Sequence, residues 1–439
     1  MQQAVIFGAG SVGRGFVGEL FCEAGLRVTF LDVDPNLVGA LAREGSYPHV
    51  TVSNTGSVRR TIGPVTAIDS RDVEAAVSAL VAADVAATAV GGAVLPRITP
   101  LLAQVIARRI ELGRSPLNVL LCENLHGAAG VVRNLIASEL PSLPVEVLDA
   151  NMGLLETSIG RMIPVPDLEV QAVEPTVIFA EPYRQLPYDR SAVRGAALDV
   201  PGLVGDASVP FAFYGDRKLY VHNLGHAFTA YLGETAGVTR VWEAIAIPEL
   251  RYLVRAAMVE SALALSLSYR QPLAPLLEHV DDLIHRFGNH TLGDTVERVG
   301  RDPIRKTAPG DRLLGAYVTA LSQQTPSRHL SLAVAAGADA LRRHEDWSED
   351  RIRAHLDAGL APHILSGAQQ DLLDVQISGL GDGCDLERQI DLIDATYEPS
   401  RCCEPRAGEG VPFDIATLDA TCHSVHRAGP VRSQPGQTG

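Results

Sequence analysis

The stretch Ala4-Val5-Ile6-Phe7-Gly8-Ala9-Gly10-Ser11-Val12-Gly13 constrains the fold more than any other part of the chain. Four apolar residues run straight into a G-x-G-x-x-G, and an apolar helical pattern follows from about Val12 to Ala24. A short continuous apolar run reads as a strand buried on both faces, the kind found in parallel sheets covered by helices. In that context each glycine has its own task. Gly8 permits the tight turn, Gly10 lets backbone amides approach a pyrophosphate, and Gly13 allows close packing of helix on strand. The helix that opens there offers unpaired N–H groups to the anion. The motif alone is a weak signal; its place between strand and helix marks a dinucleotide site.

Asp32 closes the next apolar run, Val28-Thr29-Phe30-Leu31. It lies at the roughly 20-residue distance of the acid that binds a ribose diol. A carboxylate there accepts from both hydroxyls and repels a 2′-phosphate. Val33-Asp34-Pro35-Asn36 adds no cation, which favours NAD over NADP. A flavin uses the same fingerprint and is the second choice. Arg14, one residue past the third glycine, either reaches the pyrophosphate or forms an ion pair. Thr88-Ala89-Val90-Gly91 closes a later strand on the C-terminal edge, where ligands of open α/β sheets sit, and Cys122-Glu123-Asn124 closes another. Val90 and Asn124 therefore join Gly8, Gly10, Gly13, Arg14 and Asp32 in the expected cofactor site. Glu123 is a site group or a helix cap.

The alternation of periods continues. Val85 to Val90, Leu117 to Cys122 and Val145 to Leu148 read as buried strands. Ser70 is the expected cap of a helix with Val73, Ala76, Val77, Leu80 and Val81 on one face, and Thr99-Pro100 the expected start of another. Strands alternating with helices predict an α/β Rossmann-type N-terminal domain over residues 1–205. Within it, residues from 165 on are rich in Pro, Val and Tyr and predict extra strands and a link. From His226 onward the helical period dominates, as in Leu250, Leu253, Val254, Ala257, Met258 and Leu265. This predicts a mainly α-helical C-terminal domain over 206–395. Residues 396–439 lack periodicity and read as a disordered tail. Cys402, Cys403, Cys422, His423 and His426 in that tail match no common zinc spacing.

Composition narrows the partners. Of 439 residues 46% are apolar, enough for sizeable cores, and 37 basic against 52 acidic residues leave a net charge of −15. That balance argues against broad nucleic-acid binding, which needs a basic footprint. No apolar run reaches the ~18–20 residues of a membrane span. Met1-Gln2-Gln3 lacks the basic start of a signal peptide, and six cysteines follow no framework spacing. The expectation is a reduced, cytoplasmic protein that binds small molecules, without nucleic acid or membrane.

Hydride transfer from an alcohol needs a base for the hydroxyl proton and donors for the developing oxygen charge. Arg217-Lys218-Leu219-Tyr220-Val221-His222-Asn223-Leu224-Gly225-His226 supplies these types. Lys218, Asn223 and His226 form K-x-x-x-x-N-x-x-H. Asn223 and His226, three apart, share a helix face. Lys218 approaches them if the helix starts near Val221. A lysine in an apolar site loses its proton more readily, which makes it a base near neutral pH. The plainer readings are a surface lysine, a helix N-cap and an interior histidine. His222 and His226 also form H-x-x-x-H, but no Glu follows His222 and no third ligand is evident, so no metal is expected.

These motifs together resemble the polyol-specific long-chain dehydrogenase/reductase family. The resemblance rests on Phe7 through Phe16, Thr88-Ala89-Val90-Gly91, Cys122-Glu123-Asn124, the lysine–asparagine–histidine set, Thr229 through Gly233, and the run from Val296 to Leu313, and spans about residues 1–395. It implies zinc-independent hydride transfer with Lys218 as the catalytic base and Asn223 and His226 orienting or polarising the reacting oxygen. The expected substrate is a polyol phosphate, with mannitol 1-phosphate to fructose 6-phosphate the first choice. Unphosphorylated polyols and hexuronates are the alternative, and a non-catalytic NAD-sensing regulator is the reading from another class.

The run Arg298, Arg301, Arg305, Lys306 and Arg312 is the densest basic cluster in an acidic chain. Several converging cations suit a phosphate. Arg298, Arg301, Arg305 and Lys306 are therefore the expected substrate-binding residues; the alternative is a face paired with Asp302, Asp311 and other acids. One departure stands out. Where the family carries V-D-R-I-x-P, this chain has Ile159-Gly160-Arg161-Met162-Ile163-Pro164. The aspartate is replaced by Gly160, and Glu156 is the nearest acid that could compensate.

Overall fold

The apolar runs of the first half become one parallel sheet. The computed structural model describes residues 1–125, 127–164, 166–196, 198–360 and 367–381. The expected tail, with its cysteines and histidines, lies outside them. The strands are β1 (Gln3–Phe7), β2 (Arg27–Asp32), β3 (Tyr47–Ser53), β4 (Gly56–Ile62), β5 (Val65–Asp69), β6 (Val85–Thr88), β7 (Leu117–Leu121), β8 (Met152–Glu156) and β9 (Ile178–Ala180). The main sheet runs β5-β2-β1-β6-β7-β8 with every pair parallel. Its order reverses between β1 and β6, the switch point at which such sheets bind ligands. Alternate residues feed two cores: Ile6, Phe30 and Leu120 on one face, Val5, Leu31 and Val119 on the other. Helices cover both, as a parallel sheet requires. The hairpin β3–β4 stands apart and pairs with β9, which comes from the stretch expected to supply extra strands.

Three local expectations are corrected. Val145 to Leu148 belongs to a helix, Val145–Asn151, and the strand is the next segment, β8. A short apolar run carries no period of its own; here Pro144 precedes the helix and only Leu148 is buried. Asp72, not Ser70, caps the helix Val73–Ala82, accepting from Ala75 N at 3.1 Å. The helix expected from Thr99-Pro100 begins earlier, at Leu95, with Pro96 in its first turn and Pro100 inside it.

The second half is helical. One continuous helix runs from Phe211 to Thr235, followed by Pro248–Tyr269, Leu273–Phe287, Leu314–Gln323, Arg328–Glu345, Glu349–Leu360 and Gly367–Gly381. Helix Pro248–Tyr269 is buried without a break from Ala256 to Ser266, so it is the post around which the others pack. At Gly225 a Cβ would lie 2.4 Å from Met258 Sδ, so the helix Phe211–Thr235 is drawn tightly against that post.

A buried ion network ties the first helix to the loop after β8. The side chains of Glu19, Arg161 and His49 are fully buried. Arg161 bridges Glu19 and donates to Gly15 O at 2.9 Å, and Arg60 reaches the same carboxylate. Burial pushes the Glu19 carboxyl up, but Arg161 and His49 hold it below its ordinary range. Glu19→Gln leaves Arg161 buried without its counter-ion and is expected to cost about 3–5 kcal/mol in urea unfolding. The sign follows from the lowered pKa. The contribution of Glu19 is present above the ordinary carboxylate range and is lost as pH falls through the folded-state value. A wild-type acid-unfolding curve unchanged in the variant would remove this account.

Candidate active site

The glycine turn lies at the switch point of the sheet. Gly8 has φ +93°, and a Cβ there would lie 2.4 Å from Ala89 O on the loop after β6. A Cβ on Gly13 would lie 2.0 Å from Gly8 O. Gly10 differs: a Cβ there meets nothing within 4 Å. Two glycines are thus demanded by the fold, and the third faces the open space where a pyrophosphate would approach. Asp32 at the tip of β2 accepts from Ala9 N at 2.6 Å, Val33 N at 2.7 Å and Asp34 N at 3.0 Å, which fixes its carboxylate beside the turn. Arg71 comes within 3.4 Å of Val33 O but is held by Asp69. These residues fit a dinucleotide.

Arg14 does not reach toward that space. It is buried, with Nε donating to Ala9 O at 2.5 Å and Nη1 to the carbonyls of Thr176 and Val177. The cause is local. The carbonyls of Ala9 in the glycine turn and of Thr176 and Val177 before β9 converge on the buried guanidinium and need donors. Arg14 braces the glycine loop from behind. Glu123 is likewise structural. It accepts from Thr88 Oγ1 at 2.5 Å and Val90 N at 3.1 Å, locking the ends of β6 and β7 together. Burial pushes its carboxyl up.

Lys218 donates from Nζ to Asn124 Oδ1 at 3.0 Å. The contact joins the helix Phe211–Thr235 to the loop after β7, so Asn124 meets the lysine from the sheet side. Burial lowers the Lys218 pKa to about 8, and the nearby charge of Arg312 adds to the effect.

The helix does not start near Val221; it already runs through Lys218 from Phe211. Residues five apart on an α-helix point about 140° away from each other. Residues Lys218–Asn223 are instead a π-turn, closed by Leu224 N donating to Leu219 O. Bonds of this i→i+5 kind bring residues five apart over one another. That is what sets Lys218 and Asn223 on one face, and the α-turn that follows adds His226. The Tyr220 carbonyl is taken by Ser261 Oγ at 2.7 Å, from the central helix. Among the described residues the Asn223 side chain makes no hydrogen bond.

His226 stacks on Phe287, with rings 5.0 Å apart and 9° from parallel. Its Nε2 lies 3.2 Å from Asp294 Oδ2, an ion-pair distance without hydrogen-bond alignment. Burial pushes the Asp294 carboxyl up, but His226 and Arg298 hold it low. His222 is buried, and burial with the neighbouring cations pushes its pKa well down. Its ring lies 6.2 Å from that of His226. Met162, Trp242, Phe287 and Asp294 line the small space beside His226.

In the basic run the cations have partners of their own. Arg298 pairs with Asp294, Arg301 with Glu297 at 3.3 Å, and Arg305 with Asp302 at 2.6 Å. Lys306 Nζ donates to Val299 O at 2.6 Å and to Arg301 O. The three arginines each stand about one helical turn from an acid, and Lys306 folds back onto carbonyls five and seven residues before it. Arg312, the last of the run, is the member whose charge is felt at Lys218. Glu156 does not replace an acid at 160 either; it accepts from Ala129 N at 3.0 Å, at the start of helix Ala128–Glu139. Asp294, Arg312 and Phe287 were not singled out as site groups from sequence. The only hint was that Arg312 belongs to the basic run.

A parallel sheet in dinucleotide-binding order, with a desolvated lysine brought to its C-terminal edge by a helical second half, defines the class. Residues 2–202 match the model of the mannitol dehydrogenase Rossmann domain, and residues 211–355 that of the mannitol dehydrogenase C-terminal domain. The chain belongs to the mannitol dehydrogenase family. Among solved structures it is similar to a D-sorbitol dehydrogenase in substrate-free form (16% identity, TM-score 0.72, covering 88% of this chain and 94% of that one). It is also similar to Pseudomonas fluorescens mannitol 2-dehydrogenase in a ternary complex with NAD and D-mannitol (15% identity, TM-score 0.63, covering 90% and 95%).

Proposed function

We propose that the protein is an NAD-dependent polyol dehydrogenase that converts a secondary alcohol of an open-chain polyol to the ketone, with mannitol 1-phosphate to fructose 6-phosphate as the first candidate reaction. The observation that carries this reading is Lys218, desolvated, with a pKa of about 8, and held by Asn124 at the open edge of the sheet. Gly8, Gly10, Gly13, Asp32 and Val90 would hold NAD. When bound, NAD takes the hydrogen with its electron pair from the carbinol carbon. The neutral Lys218 amine takes the hydroxyl proton, so no metal is asked of the chain. The Asn223 amide and the His226 ring donate to the oxygen as charge develops on it. Asn124 aims the lysine, and Asp294 with Phe287 fixes the imidazole plane. Free Cys22 and Cys122 suit a reducing, cytoplasmic setting. The named neighbours favour a second substrate reading, an unphosphorylated polyol. The intact lysine–asparagine–histidine set speaks against a silent NAD sensor.

The pH dependence tests the assignment. Only the neutral amine accepts a proton, so kcat/KM for oxidation should rise with pH and level off above about 8, while reduction should fall through the same inflection. Arg312→Gln removes a charge that favours the neutral form, so the inflection should move upward. An inflection near the ordinary lysine value of ~10.4 would argue against a desolvated base. Rates with mannitol 1-phosphate, mannitol and fructuronate, each with NAD and NADP, decide the substrate.

A further inference from the structure

Arg217, the residue before Lys218, is a half-buried guanidinium that the protein gives no counter-ion. Among the described residues it makes no hydrogen bond and no ion pair. It lies over the rings of Tyr214 at 5.3 Å and Phe213 at 5.9 Å. Its neighbours are treated differently. Arg286 grips Glu181 with Nε at 2.9 Å and Nη2 at 2.5 Å, and Arg298 and Arg312 each have an aspartate. A cation kept out of water without a partner is costly, and such groups are retained where a ligand completes them.

The surroundings of Arg217 offer donors; of the acids near them, Glu181 and Asp282 beside Tyr183 are taken by Arg286, and Asp206 is felt at Tyr214. Its charge is felt at Tyr183, Tyr214 and His279. Among the described residues none of these three side chains makes a hydrogen bond. Burial, with the charges of Arg217 and Arg286, lowers the His279 pKa to about 3, so its ring is a neutral donor. The loop after β8 closes the set: Ser158 Oγ donates to Tyr214 O at 3.2 Å, and a Cβ on Gly160 would lie 3.4 Å from the Tyr183 ring. An acid at position 160 would stand against that ring and repel an anion; glycine does neither.

We propose that Arg217, the hydroxyls of Tyr183 and Tyr214 and the ring of His279 form the subsite for an anionic end of the substrate, a phosphate monoester or a carboxylate. The proposal rests on the polyol dehydrogenase reading and moves the anion from the self-paired run at 298–306 to the residue that precedes Lys218 in the same helix. Arg217→Met keeps length and contact with the rings but removes the charge. The ratio of kcat/KM for fructose 6-phosphate or fructuronate to that for fructose should fall about 100-fold in this variant. The more active of the two anions identifies the group. Inorganic phosphate titrated calorimetrically should bind the wild type and not Arg217→Met. Equal losses on neutral and anionic substrates would make Arg217 structural and overturn the subsite. So would a wild type that prefers neutral polyols and binds no phosphate, with the activity itself still standing. Phosphate binding that depends on Arg217 without turnover of any polyol or ketose would instead sink the dehydrogenase reading and leave the subsite.

Discussion

Lys218→Met should lower polyol oxidation by roughly 10²–10⁴-fold, the range over which a positioned acid or base contributes. The methionine fills a similar volume, so the helix Phe211–Thr235 and its packing on the central helix should persist. NAD affinity, measured by quenching or calorimetry, should hardly change, because the glycine turn and Asp32 are built by the sheet alone. Lys218→Arg should not rescue activity. A guanidinium keeps its proton throughout the accessible pH range. The pH inflection at about 8 should vanish in both variants together with the rate. Wild-type turnover in Lys218→Met would mean that the proton leaves by another route and that the central claim is wrong.

A pair of glycine substitutions should separate cofactor binding from folding. At Gly10 a Cβ meets nothing within 4 Å, so Gly10→Ala should leave thermal stability near the wild type. The methyl group occupies the approach to the backbone amides, so NAD affinity should fall at least about tenfold, or roughly 1.4 kcal/mol. At Gly13 the Cβ would lie 2.0 Å from Gly8 O, and turn and helix must separate. Gly13→Ala should therefore cost about 1–3 kcal/mol of stability and abolish NAD binding along with it. If Gly10→Ala bound NAD as the wild type does, the open space beside the turn would not be the pyrophosphate site.

The strands of the sheet were legible because burial on both faces leaves a nearly continuous apolar run: Ala4–Phe7 is unbroken, and Val28–Leu31 and Leu117–Cys122 are broken only by Thr29 and Asn118. Val145 to Leu148 misled because four residues are too few to show a period, and Pro144 sets a helix there. Lys218, Asn223 and His226 stood out by residue type and spacing. Their shared face depends on a π-turn, which leaves no mark in a hydrophobic pattern. The pairing of the basic run was only half legible, for an electrostatic reason. Clustered arginines look like an anion site until the acids one turn away, Asp294, Glu297 and Asp302, are counted as partners. Arg217 escaped notice because what distinguishes it is a missing partner, and sequence does not show which groups fail to meet.

The π-turn between Lys218 and Asn223 amounts to one surplus residue in an otherwise regular helix. Removing any one amino acid from it would give a better-formed helix and swing everything upstream about 100° around the axis. The chain therefore keeps a less ideal spiral so that an ammonium group and an amide can look the same way. Loss of function by shortening, without loss of architecture, is built into that choice.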